Sequence, residues 1–113
     1  MLISKKQLDE LDKIKLNDFV QELSQLLTNE FNYKIDEQEN EKNRLKNFIT
    51  KMIESAKIFN LDEKNSITAF VVLNHLNGEN FLEKEEFKIY KYYLQSELYN
   101  PNDYIFEIPT LNT

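Results

Sequence analysis

The sequence has no cysteine and no tryptophan, and only one glycine, one histidine and two prolines in 113 residues. Without cysteine there can be no disulfide, no thiolate-held metal and no cysteine nucleophile, which fits a reducing compartment. One glycine cannot build a phosphate-cradling loop, which needs several. With so few glycines and prolines, long regular elements joined by short loops are expected. No apolar run approaches the roughly 20 residues of a membrane span. The opening "MLISKKQLDE" lacks the apolar stretch of a signal peptide. A soluble, cytoplasmic chain with no membrane segment is the expectation.

The single histidine restricts catalysis in the same way. A Ser/Thr–His75 pair is the one nucleophile–base combination available, and no G-x-S-x-G elbow accompanies it. His75 has no second histidine one turn away to share a metal. An EF-hand with Gly78 as its central glycine would begin at Leu73 and end at Lys84, where acids are required. Adjacent carboxylates such as Glu85 and Glu86 point in different directions on a helix and read as a solvated face. The chain is therefore expected not to be an enzyme, with no catalytic residue, metal or cofactor.

What is present is core material and acid. Eight phenylalanines and six tyrosines lie in a chain that is 41% hydrophobic and 30% charged, ordinary for one folded domain over residues 1–113. The net charge of −6 opposes binding to nucleic acid and to anionic membranes. It would suit a basic protein partner, or serve solubility alone.

Hydrophobic spacing predicts helices throughout. Ser4 and Gln7 form a capping-box pattern for the first. Leu8, Leu11 and Ile14 follow, then Leu16, Phe19, Val20, Leu23, Leu26, Leu27 and Phe31. The two stripes differ in phase by about a third of a turn, which predicts a kink or break near Lys15–Asn17. A polar loop is expected from Asn32. Leu45, Phe48, Ile49, Met52, Ile53, Ala56 and Phe59 define the most regular helix, from about residue 40 to 59, with Asn60 at its C-terminal cap. Asp62 is the expected N-cap of the next helix. In "SITAFVVLNHLNG" apolar residues occupy nearly every face, so this helix belongs in the middle of the fold, although its β-branched content would also suit a strand. Gly78 is expected to close it in the left-handed conformation, with His75 half-buried near its end and Phe81 anchoring the chain after it.

The last helix is expected from about Glu83 to Tyr99, with Glu83, Glu85 and Glu86 in its first turn and Phe87, Tyr90, Tyr93 or Leu94, and Leu98 inward. Pro101 ends it. The tail "YIFEIPTLNT" alternates like a strand and would either pack back on the helices or join a partner's sheet edge. The result is an all-α, compact bundle of four to five helices with a short extended C-terminal tail from about residue 101. The candidate partner-binding residues are Tyr90, Tyr92, Tyr93 and Tyr99, Tyr104 and Phe106 of the tail, and acidic Glu83 and Glu86. Tyrosine offers contact area and a hydroxyl together. The same tyrosines would equally complete a small core.

Several pieces, in this order, resemble a known group: Ile3-Ser4-x-x-Gln7-Leu8, Asp18-Phe19-Val20 with a leucine-rich helix to Phe31, Ile53-x-x-Ala56, Leu61, Phe70, Leu73 and Gly78-x-x-Phe81. The chain resembles small uncharacterised helical bacterial proteins encoded beside type VI secretion spike components and polymorphic toxin effectors. The resemblance implies a helical accessory protein of an effector locus and carries no catalytic residue over. Two expectations fit it: an immunity protein that binds and neutralises a cognate effector, or a chaperone or adaptor for effector loading. A self-associating structural or regulatory module is a separate expectation that does not depend on the resemblance.

Overall fold

The residues that recur at three- and four-residue steps become helices, and no strand occurs among the described residues of the computed structural model. These are residues 5–31 and 39–110, with side chains described for 16–31 and 43–110. The α-helices are α1 (Lys5–Glu30), α2 (Glu39–Ile58), α3 (Lys64–Asn77), α4 (Lys88–Gln95) and α5 (Pro101–Tyr104). Three 3-10 turns complete the set, at Phe81–Glu83, Glu85–Phe87 and Ile105–Glu107. The fold is all-α. By its internal contacts the chain divides into two compact units, Met1–Ile49 and Thr50–Thr113, and the division falls within α2.

In the first unit α1 runs unbroken through Lys15–Asn17, so the expected break there does not occur. Val20, Leu23 and Leu27 are buried on α1, and Leu45 and Ile49 on α2, in the spacing of a single helical face. Ser24 and Thr28 turn their hydroxyls back to the carbonyls of Val20 and Ser24, at 2.8 and 2.7 Å. Each thereby satisfies its polar atom within the helix. Ser4, the side chains of Gln7, Leu8, Leu11 and Ile14, and the loop expected from Asn32 lie outside the described residues.

In the second unit α2 continues its buried face through Met52, Ile53 and Ala56. It ends where expected, at Asn60, whose φ of 61° is left-handed. The Leu61 N–H donates to the Ala56 carbonyl at 3.1 Å and the Asn60 N–H to that of Lys57 at 3.0 Å. These two bonds define a Schellman motif, and the buried Leu61 and Ala56 supply its apolar contact.

The helix α3 is the centre of this unit. From Ser66 to Gly78 none of its residues is exposed, as its all-round apolar sequence predicts; the strand alternative is excluded. Its N-cap is Glu63, which makes no side-chain cap, and not Asp62. The reason lies 40 residues away. The buried Asn102 side chain accepts from the N–H groups of Asp62 and Glu63, at 3.0 and 3.1 Å, and donates to the Asp62 carboxylate at 2.7 Å. Ser66 donates to the Asn102 carbonyl at 2.7 Å. Asp62 therefore holds the residue that holds the helix entry. At the other end, Asn77 Nδ2 donates to the Pro109 carbonyl at 3.3 Å, and Lys84 Nζ donates to the Asn77 carbonyl at 2.7 Å. A cation on the last carbonyls suits the negative end of the helix dipole.

Gly78 stops α3, but in a different conformation from the one expected. Its φ of 99° and ψ of 148° lie outside the left-handed helical well, in the extended positive-φ region that is essentially reserved for glycine. The left-handed residue is Asn80, at φ 62° and ψ 34°. Phe81 is fully buried after it, the anchor the sequence implied.

The expected helix from Glu83 is replaced by two 3-10 turns separated by an extended Lys84, with ψ 148°. Packing explains the break. In a continuous helix Phe81 and Phe87 would point about 120° apart. With Lys84 extended, both are buried, and their rings meet edge to face at 4.9 Å. Glu83, Glu85 and Glu86 thus lie in the turns rather than in the first turn of α4. The helix α4 ends at Ser96, so Leu98 lies beyond it and is 75% exposed rather than inward.

The tail from Pro101 is helical where an extended segment was expected. Asn100 accepts from the Asn102 N–H at 3.0 Å, and Pro101 follows it at the first helical position, a sequence-encoded helix start. Ile105 and Ile108, three apart, are buried, while Phe106 is 59% exposed, the reverse of the alternation a strand would give. The tail packs back on its own helices. It runs from one end of α3, at Asn102, to the other, at Pro109.

Candidate protein-binding surface

Two sets of aromatic rings diverge from α4. The buried set is a string: Phe59 to Phe70 at 5.8 Å, Phe70 to Phe81 at 6.4 Å, Phe81 to Phe87 at 4.9 Å and Phe87 to Tyr90 at 6.0 Å between ring centres. It is core. The second set consists of tyrosines. Tyr93 meets Tyr92 at 5.5 Å, Tyr99 at 5.7 Å and Tyr104 at 6.0 Å, and Tyr99 stacks on Tyr104 at 5.3 Å. The loop after α4 returns Tyr99 to the helix, and α5 brings Tyr104 beside it.

The structure therefore divides the six aromatic candidates. Tyr90 is half-buried at the end of the phenylalanine string. Tyr93 and Tyr104 are half-buried in the tyrosine cluster. Tyr92, Tyr99 and Phe106 are 66%, 50% and 59% exposed. Ile89 lies three residues before Tyr92 on α4, so the two share a face, and Ile89 is 57% exposed. Ile89 and Leu98 add apolar surface that sequence reasoning missed; only the early end of α4 frees Leu98, and no local pattern announces it.

Burial pushes the Tyr104 phenol above its ordinary value, and Tyr90, Tyr93, Tyr99 and the Glu107 carboxylate add to the rise. Tyr104 thus presents a neutral hydroxyl, able both to donate and to accept, beside flat ring surface.

After Lys91 the charge along the chain is of one sign. Lys91 is the last basic residue in the chain, and residues 92–113 contain Glu97, Asp103 and Glu107. All three are exposed. Upstream, Glu83 pairs with Lys91 at 2.7 Å and Glu85 with Lys88 at 2.7 Å, while Lys84 is engaged by the end of α3. Of the two acidic candidates, Glu83 is therefore an ion-pair member, and exposed Glu86 stands with the unneutralised acids.

Among the described residues no group of three or more His, Asp and Glu side chains is placed to hold a metal. No described helix is long and apolar enough to cross a membrane. His75 is half-buried in the last turn of α3. Comparison with protein-family models, with curated proteins and with solved structures finds no match to this chain.

Proposed function

We propose that this chain is a non-enzymatic protein-binding module that takes a basic partner protein on the aromatic, acidic surface spanning residues 89–107. The observation that carries this is the coincidence of exposed Ile89, Tyr92, Leu98, Tyr99 and Phe106 with a segment that loses all basic residues after Lys91. Large apolar side chains left exposed together mark interaction surfaces. Tyrosine is favoured among the residues that dominate binding energy. Its ring face also attracts arginine and lysine, and nearby carboxylates draw the same cations.

The more specific form follows from the sequence resemblance and from acidity. The partner is then a basic toxin effector that the chain occludes, and neutralisation is the role. An effector adaptor would bind without neutralising. Co-expression with a basic protein encoded in the same locus separates these: restored growth supports immunity, and co-purification with undiminished toxicity supports an adaptor. The combined substitution Tyr92→Ala and Tyr99→Ala should abolish co-purification while leaving thermal melting within a few degrees of the parent. Retained binding in that variant removes the proposed surface. Sedimentation of the chain alone as a dimer through these residues would favour self-association instead.

A further inference from the structure

On the Thr50–Thr113 unit, a cavity of about 240 Å³ opens between the end of α2, α3, the first 3-10 turn and α4. It shares no lining residue with the tyrosine cluster. Its apolar wall is Phe59, Phe70, Phe81 and Leu82. Three of these belong to the phenylalanine string, whose packing holds the wall in place. Ser55, Asn80 and Gln95 also line it. Lys91 and Glu83 complete the lining, paired with each other at 2.7 Å. Apolar walls with a few convergent polar groups are the usual build of a small-ligand site.

Size and charge narrow the ligand. The volume is that of about eight waters and lies below the range typical of drug-sized ligands, which points to a single small metabolite or building block. The charged groups come as a matched pair. A ligand of one charge would engage only one member of this surface pair, whose side chains are 31% and 67% exposed, and would leave the other to water. A zwitterion engages both, with its carboxylate on Lys91 and its ammonium on Glu83, and leaves no net charge uncompensated. Its remaining part must be apolar to lie against the phenylalanines. We infer that this cavity binds a free α-amino acid with an apolar side chain, of leucine or phenylalanine type.

The test is titration of the full chain with L-leucine and L-phenylalanine, each compared with its N-acetylated carboxamide, followed by calorimetry and by amide NMR shifts. Expected are shifts centred on residues 58–59, 80–83 and 91–95 with the free amino acid. Affinity should fall by about tenfold or more for the blocked compound, and also in Lys91→Met and Glu83→Gln, since each loses a charge-assisted bond. Both substitutions are at the surface pair, and their melting should match the parent, so lost binding there reports the site and not the fold. The variant Tyr92→Ala with Tyr99→Ala should keep amino-acid binding, which separates this inference from the partner surface. Equal binding of free and blocked forms would mean a pocket for a peptide side chain and would overturn the zwitterion assignment. So would the absence of shifts up to the solubility limit, or affinity indifferent to both substitutions.

Discussion

Gly78 stands where a side chain is costly for two reasons. Its φ of 99° is poorly accessible to other residues, and an added Cβ would lie 3.2 Å from Lys84 Nζ, which holds the end of α3. Gly78→Ala should cost about 1–3 kcal/mol by urea denaturation. At Asn60 the backbone is ordinary left-handed helix, so Asn60→Gly should be nearly neutral and Asn60→Ala should cost about 1 kcal/mol. Tyr104 gives a residue-scale pH dependence. Its folded-state pKa is raised, so the neutral phenol is the form that folding favours. That contribution is whole below the ordinary tyrosine pKa of about 10 and is lost as pH rises through the higher folded value. Stability should therefore drop in strongly alkaline solution, and Tyr104→Phe should reduce that drop. Absorbance of the ionised phenol, followed with unfolding by circular dichroism, checks both.

Among the elements, α3 depends on a residue outside itself. Asn102→Ala removes the acceptor for two backbone N–H groups and the donor to Asp62, with a cost expected to be about 2 kcal/mol or more. Hydrogen exchange at the Asp62 and Glu63 amides should accelerate in that variant more than exchange at Leu61. None of this was legible in sequence, because a cap supplied from 40 residues away leaves no local trace. What was legible had local causes. The unbroken period from Leu45 to Phe59 gave α2 and its end at Asn60, and the apolar run from Ile67 to Leu76 gave a central helix. The shortened α4 was not legible: its first residues read as good helix formers, and only the joint burial of Phe81 and Phe87 forces Lys84 to extend. The helix start at Asn100–Pro101 was written in the sequence, but alternation in the following residues pointed the other way. The tyrosine candidates were legible as a cluster, yet which of them face solvent depended on that same loop.

For the whole molecule, charge is distributed unevenly, and the consequences concern association more than folding. Replacing Glu97, Asp103 and Glu107 by their amides should change folding stability by no more than about 0.5 kcal/mol, since all three are exposed and none pairs with a described basic residue. The same change should slow association with a basic partner and flatten its dependence on salt, because complementary charge acts mainly on encounter rate. Stopped-flow association at two ionic strengths measures both effects. Unchanged rates would mean that the acids of this surface serve solubility only.

The span of chain from Asn102 to Pro109 touches both ends of α3, and this sets an order of events. A polypeptide is made from its N-terminus, so α3 leaves the ribosome before the residues that close it. Until the segment ending at Pro109 emerges, the entry of α3 lacks Asn102 and Asn77 lacks its carbonyl partner. The most apolar helix of the chain is thus exposed during synthesis for the interval it takes to add some thirty residues beyond Asn77. Its fold is completed only when that segment emerges, and stalled nascent chains that stop short of it should be far more sensitive to protease than those that include it.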